Sequence, residues 1–308
     1  MEPVISVVVP TRDRPDALGA LAGLLAGQTL PAGRFEVIVV DDGSQPPLRS
    51  PAAAPALTIL RHESSRGPGA ARNTGWRAAA APLVAFVDDD CAPAPGWLEA
   101  LVAAGEGPEP VIVQGPVVPD PRAGVERTPL THTIEVAGPS PLFVTANIAY
   151  SRTLLERTGG FDERLRRAGE DADMGARAVR AGARVRWAPE ALVHHEVRDL
   201  GLLGTLGHTR KWSDAVLAVK KHPELRRLLF ARVFWKPSHP LLLLAAAALA
   251  TRRPLVMAAG ALPYVAWHAR EHRDPRALAR WLPAHVAIDA TEIATAVAGS
   301  LRHRTLML

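Results

Sequence analysis

The first half of the chain alternates short apolar runs with segments of helical periodicity. Ile5 to Val9 is an uninterrupted apolar, β-prone run, and Pro10 marks its predicted end. Asp16 stands where it can cap a helix whose Leu18, Leu21 and Leu25 share one face. Phe35 to Val40 predicts a second strand, stopping at Asp41-Asp42-Gly43-Ser44, and Pro46 to Pro55 reads as loop. Leu57 to Leu60 is a weaker third strand, Gly67-Pro68-Gly69 opens an Ala-rich helix running to about Ala81, and Leu83 to Val87 is a fourth strand. Such an order of strands and helices predicts an α/β fold with a mainly parallel sheet flanked by helices. Beyond Trp97 the pattern loosens. Val111 to Gln114, Arg184 to Trp187 and Leu192-Val193 read as short strands, and Arg152 to Thr158 and Asp171 to Ala181 as helices. The Pro- and Gly-rich stretch 115–142 reads as connecting or acceptor-side loop.

After about residue 200 the character changes, so the expected organisation is an α/β domain over 1–200 and a helical region over 201–308. Thr205 to Lys221 and Glu224 to Val233 read as basic helices. Leu241 to Ala250 is wholly apolar, Arg252-Arg253 interrupts, and Pro254 to Trp267 is nearly apolar. Each run is shorter than the roughly 18–20 residues of a spanning helix. Joined, they would carry two arginines through hydrocarbon. A hairpin in one leaflet or helices on the membrane surface fits better, with Arg226, Arg227, Arg232, Lys236, Arg270 and Arg273 meeting anionic headgroups. The competing reading is a soluble helical subdomain or dimer interface.

Composition narrows the classes. Of 308 residues, 48% are hydrophobic and 22% charged, which argues against disorder, and the net charge is only +5. Basic residues form no dense run with interleaved aromatics, so nucleic acid is not expected as a partner. The single cysteine, Cys91, excludes an internal disulfide and a cysteine-built zinc site. It reads as a packed small residue, or as a thiol beside acidic groups. The start, Met1-Glu2-Pro3, has no basic n-region, so the first part is expected to face the cytosol. With the membrane reading, that places the chain peripherally or monotopically at the cytoplasmic face.

The chemistry concentrates where strands end. Val84 to Val87 climbs directly into Asp88-Asp89-Asp90. Adjacent carboxylates repel unless a cation neutralises them, and hard oxygen ligands suit Mg²⁺ or Mn²⁺, which bridge phosphates. Taken alone, the triplet is equally an acidic turn. Three further constellations accompany it: Pro10-Thr11-Arg12-Asp13-Arg14-Pro15, Asp41 to Ser44, and Gly67-Pro-Gly-Ala-Ala-Arg72-Asn73-Thr-Gly75. The glycine stretch is not a dinucleotide fingerprint, because Arg72 stands where the third glycine belongs. No Gly-Lys-Ser/Thr makes it a P-loop. It offers free N–H groups at a helix start and a guanidinium one turn in, a receptor for diphosphate.

In this order and spacing the four constellations resemble the family 2 glycosyltransferases of GT-A fold, over roughly residues 4–200. Phe143 to Tyr150 with Gly159-Gly-Phe-Asp-Glu163 looks like the family's acceptor-side segment, Gly169-Glu170-Asp171-Ala-Asp173 like its Glu-Asp motif, and His195 like the histidine that often follows. The resemblance implies a nucleotide-binding set of Pro10, Thr11, Arg12, Asp41, Arg72, Asp88 and Asp89. It implies metal ligation of Mn²⁺ or Mg²⁺ by Asp90, with Asp88 and His195, in a triple-aspartate version of D-x-D. It implies Asp171 as general base for inverting transfer, with Glu170, Asn147 and Trp97 supporting the acceptor side. Asp173 reads as a helix-surface charge, and His208, His222 and His268 as surface residues. The donor is expected to be a nucleoside-diphosphate sugar (UDP, dTDP or GDP), and the acceptor a glycan or lipid-linked hydroxyl. The rival readings are a sugar-1-phosphate nucleotidylyltransferase and an inactive transferase-fold membrane scaffold.

Overall fold

Strand β1 (Ile5–Thr11) is the central strand that the other elements address, and it is buried on both faces. That is why its sequence is a continuous apolar run rather than an alternating one. The computed structural model describes residues 2–50, 57–272 and 274–308. The end of the loop expected over Pro46 to Pro55, and Arg273, lie outside the described residues. The chain divides into two units: residues up to Gly124 with Thr133–Arg198, and Val125–His132 with Asp199–Leu308.

In the first unit, β1 pairs in parallel with β2 (Phe35–Asp41) and, across α2 (Pro68–Ala78), with β4 (Leu83–Phe86). The edge strand β3 (Leu57–Arg61) pairs in parallel with β2. Further along the chain come β5 (Cys91–Pro93), α3 (Trp97–Gly105), β6 (Val111–Gln114) and β7 (Val117–Pro119), and then β8 (Thr131–His132), which belongs to the second unit. They are followed by β9 (Ile148–Ser151), α4 (Arg152–Thr158), α5 (Glu170–Arg180), β10 (Arg184–Trp187), β11 (Val193–His195) and β12 (Arg198–Asp199). The main sheet has the order β10-β6-β9-β4-β1-β2-β3, and β9 alone runs antiparallel, between β4 and β6.

Period-two alternation sorts the side chains onto two faces. Ile5, Val7, Val9, Val37 and Val39 face Leu18, Leu21 and Leu25 of α1 (Pro15–Ala26) and Leu98 and Leu101 of α3. Val8, Ile38, Val40, Val84 and Phe86 face Trp76 of α2, Leu154 and Leu155 of α4, and Met174 of α5.

Two local expectations shift. Pro10 does not end β1, which continues to Thr11. The pairing with β4 stops at Val8↔Phe86, so beyond it β1 has one hydrogen-bonded neighbour and a missing N–H costs little. Helix α1 is not capped by Asp16. Arg14 is the N-cap residue, Pro15 supplies the pre-set φ of the first turn, and Asp16 lies inside that turn.

The second unit is helical: α6 (Gly201–Thr209), α7 (Trp212–Lys221), α8 (Ser238–Ala250), α9 (Pro254–His268) and α10 (Pro275–His303). The stretch expected as a helix over Glu224 to Val233 is instead a short 3₁₀ segment, Pro223–Leu228, followed by a turn with Ala231 and Arg232 at positive φ. Among the described residues, no helix is long and apolar enough to cross a membrane. His222 and His268, expected at the surface, are buried at 1% and 3% exposure.

Candidate active site

The site forms at the C-terminal ends of β1, β2 and β4, where an open α/β sheet leaves loops free. At the end of β1, Thr11 is buried and its hydroxyl donates to Asp89 Oδ2 at 2.7 Å. Arg12 turns outward and pairs with Asp13 at 3.2 Å. Asp13 sits at φ 54°. Its amide donates to Ser44 Oγ (2.8 Å), and its carboxylate accepts from the Gln45 amide (2.8 Å). This hook reverses the chain and turns Arg14 inward. Arg14 donates from Nη1 to Asp89 (2.6 Å) and Asp90 (3.0 Å), and from Nη2 to Glu196 (2.7 Å).

At the end of β2, Asp41 is fully buried and accepts from the Ser44 amide (2.8 Å), the Leu48 amide (3.2 Å) and the Arg61 guanidinium. Burial alone would raise its pKa, but the Ser44 side chain and amide, then the Leu48 amide and Arg61, outweigh it and hold the carboxyl below its ordinary range. Asp42 accepts from Ser65 Oγ (2.7 Å), the Arg66 amide (2.9 Å) and the Gly67 amide (2.9 Å), and its Oδ1 contacts His62 Nδ1 at 2.7 Å. It also titrates below its usual range for the same reason. Asp42 therefore fixes the loop that launches α2.

The aspartate triplet splits three ways. Asp88 accepts from Arg72 Nη2 (2.8 Å). Asp89 lies beneath Thr11 and Arg14. Burial raises its pKa to about 6, with Asp90 and Asp88 pushing the same way against the pull of Thr11 and Arg14. Asp90 points toward His195, because β11 pairs antiparallel with β5 in the register His195↔Cys91. Asp90 Oδ1 stands 3.5 Å from His195 Nε2, and Arg198 reaches Asp90 Oδ2 at 3.3 Å. Burial raises Asp90, but His195, Arg14 and Arg198 outweigh it and hold the carboxyl low.

These residues fit a hard divalent cation. His195 Nδ1 lies 2.8 Å from the Glu196 carbonyl, so in the neutral ring that nitrogen carries the proton and Nε2 presents a lone pair to Asp90. Two acceptors face each other across a gap that a proton or a cation must fill. Their separation is near the roughly 3 Å between neighbouring donors of an octahedral shell with bonds of about 2.1 Å. Cys91 lies in the same cluster, but burial and then Asp88 and Asp90 push its thiol well up, so it stays protonated.

Arg72 ties this rim to the other side of the site. It is buried one turn into α2 and donates from Nη1 to Glu170 Oε1 (3.0 Å) and Asp171 Oδ1 (3.5 Å), while its Nε has no hydrogen-bond partner among the described residues. Glu170 and Asp171 occupy the first turn of α5, after Gly169 at φ 91°. Asp171 also accepts from the Thr145 amide (3.1 Å) and Thr145 Oγ1 (3.0 Å). Its enclosure and then Glu170 raise its pKa to about 7, against the opposing effects of Arg72 and Thr145. Its side chain nonetheless keeps 23% exposure, whereas Glu170 keeps 7%.

Other expected residues lie deeper. Trp97 is fully buried and donates from Nε1 to Asn147 Oδ1 (2.8 Å). Asn147 Nδ2 donates to the carbonyls of Pro116 (2.9 Å) and Ala191 (2.6 Å). The pair joins three segments under the site and is shut off from solvent. Asp173 is not a surface charge: it is fully buried and paired with Arg177 at 2.7 Å. Arg14, Thr145 and Arg198 join the site without having been singled out. Arg14 had a signal, standing in the same loop as Thr11, but only the turn at Asp13 shows which arginine points inward.

A model of glycosyl transferase family 2 matches residues 6–168. The chain belongs to glycosyl transferase family 2. It is 36% identical over 214 residues to a pre-mycofactocin glycosyltransferase of Mycobacterium tuberculosis, a match covering 63% of this chain and 43% of that protein. It thus spans less than half the length of that relative. Glycosyltransferase AglE of Haloferax volcanii is 29% identical, with 65% of this chain and 69% of that protein covered. Among solved structures, the mannosyltransferase PcManGT of Pyrobaculum calidifontis, in complex with GDP-Man and Mn²⁺, superposes with a TM-score of 0.58 at 21% identity. That match covers 97% of this chain and 87% of that one. S. aureus TarS 1-349 in complex with UDP gives 0.50 at 18% identity, covering 99% and 92%. These likenesses establish the GT-A fold.

Proposed function

We propose that this family 2 member is an inverting, metal-dependent glycosyltransferase that moves a sugar from a nucleoside diphosphate to an acceptor hydroxyl. The observation that carries this reading is the position of Asp171. Arg72 bridges it to Asp88 of the donor rim, Thr145 orients it, and part of its side chain stays open to solvent. A carboxylate held there can take the acceptor proton on the face opposite the departing nucleotide, as inversion requires. Its raised pKa suits a base working near neutrality.

In this reading Asp90 and His195 hold Mn²⁺ or Mg²⁺, with Asp88 completing the rim. The ion, when bound, neutralises charge on the departing diphosphate. Arg72 pairs with the diphosphate through the guanidinium edge whose Nε is unpartnered. Thr11 and the Asp41 loop meet the nucleobase and ribose. Carboxylates outnumber guanidiniums around the rim, which favours taking up a divalent cation before an anionic donor. The Mn²⁺ and nucleotide bound by PcManGT, and the UDP bound by TarS, support this donor class.

The acceptor in this proposal is a lipid-linked or envelope glycan, presented at a membrane surface. Its support is the α8–α9 hairpin, which exposes Leu244, Leu249, Leu255 (87%) and Leu262 (66%), with Arg252 and Arg253 at its turn. A panel of UDP-, GDP- and dTDP-sugars tests the donor. The expected result is Mn²⁺-dependent hydrolysis of, or thermal stabilisation by, one of them. Pyrophosphate release from a sugar-1-phosphate and a nucleoside triphosphate, with no response to any nucleotide sugar, would overturn the reading.

A further inference from the structure

The C-terminal unit holds two groups of metal-ligand side chains, and they differ in what already neutralises them. In the first, His239, Asp289 and Glu292 are buried, and Lys236 Nζ stands 2.7 Å from Glu292 and 3.9 Å from Asp289. The ammonium there takes the place a metal would occupy.

The second group gathers where α9 ends. His268 is the last residue of α9, Glu271 and His272 lie in the turn that follows, and His285 projects from α10. His272 Nε2 is 3.0 Å from His285 Nε2. His285 Nε2 is 3.7 Å from Glu271 Oε2, and His268 Nδ1 is 3.8 Å from the same oxygen. Around a tetrahedral zinc with bonds of about 2.0–2.1 Å, donors stand roughly 3.3 Å apart, and the observed spacings bracket that value. His268 is 3% exposed, yet its Nδ1, aimed at Glu271, has no hydrogen-bond partner among the described residues. The His268 and His285 rings stack at 4.0 Å, which holds imidazoles from two helices side by side. Nitrogen donors with one carboxylate favour zinc over magnesium or calcium. Glu271 is half exposed and gives an ion a way in.

We propose that His268, Glu271 and His285, whose ligand atoms lie together, form a structural zinc site that ties the end of α9 to α10, with His272, beside His285, supplying the fourth donor. With four protein donors the shell is closed, so the site holds the fold of the helical unit and leaves no position for a substrate.

The test uses the full chain, stripped with EDTA. It is titrated with zinc chloride while thermal unfolding is followed, and with cobalt chloride while visible absorption is read. One zinc per chain, a Tm increase of about 5 °C in zinc at a hundred times its Kd, and intense tetrahedral cobalt bands are expected. Both responses should persist in Asp90→Ala, which disables the donor rim. Glu271→Gln, at an exposed position, should keep the wild-type Tm in EDTA but bind zinc at least about 10-fold more weakly. His285→Gln should lose the cobalt bands; if that variant does not fold, Glu271→Gln decides alone. No zinc-dependent shift, only the weak bands of six-coordinate cobalt, or a response lost in Asp90→Ala but intact in Glu271→Gln, would overturn the site.

Discussion

At the scale of single residues, the site is governed by how each carboxylate is neutralised. Asp41 and Asp42 are saturated with donors and titrate low, while Asp89 and Asp171 are crowded and titrate high. Asp171→Asn should leave Mn²⁺-dependent nucleotide binding intact and lower kcat by roughly 10²–10⁴, the usual effect of losing a general base. Full activity in that variant would shift the role to Glu170. In the wild-type enzyme kcat should fall as pH drops through about 7, and saturating donor will not rescue it, since the defect is a protonated base. The same shift bears on stability. A carboxyl whose native pKa exceeds its unfolded value of about 4 holds more protons when folded, so stability declines as pH rises from about 4 to about 7. In EDTA, Asp171→Asn should therefore be more stable than wild type at pH 8, by on the order of 1–2 kcal/mol, with the gain vanishing near pH 4. Equal melting temperatures at both pH values would contradict that. Asp90→Ala should abolish turnover and Mn²⁺-dependent donor binding together, measured by isothermal titration.

At the scale of elements, two packing events place these residues. Helix α2 carries Arg72 and lies against the sheet at Gly75, where an added Cβ would collide with Val8 Cγ1 and crowd Val40 Cγ2 at 3.3 Å. Gly75→Ala should push α2 off the sheet, cost about 1–3 kcal/mol in urea unfolding, and weaken diphosphate binding by displacing Arg72. The second event is the small sheet β5-β11-β7, which sets His195 opposite Cys91 and so beside Asp90. The helix of the first event was readable in the Ala-rich segment after Gly67, but its close approach to the sheet at Gly75 was not. The second was not, because β5 and β7 are three residues each and lack the length for periodicity to register. Helix α10, 29 residues long, also escaped notice, since Pro283 and its mixed polarity blur its apolar stripe.

At the scale of the whole molecule, the helical unit separates two influences that sequence alone confounds. Its apolar hairpin exposes leucines, so flotation of the full chain with anionic liposomes should recover it, and Leu255→Glu with Leu262→Glu should reduce recovery at least about 10-fold. Undiminished flotation of that double variant would rule out the hairpin as the docking surface. Four of its histidines, His222, His239, His268 and His285, lie inside, where polarity would have put them outside. The sequence by itself determined that apolar runs end in carboxylates, and hence that a mainly parallel sheet carries its chemistry at the strand ends. Burial on both faces forces such runs, and ligand chemistry forces the residues that follow them. Only the tertiary structure decided that Arg14 rather than Arg12 faces the rim, that Asp173 and His268 are buried, and that pairing of two three-residue strands is what sets His195 beside Asp90. Periodicity reports a side chain's face within its own element. Which charge becomes its partner is fixed by contacts between segments far apart in the chain, and that partner settles whether a polar group can leave water.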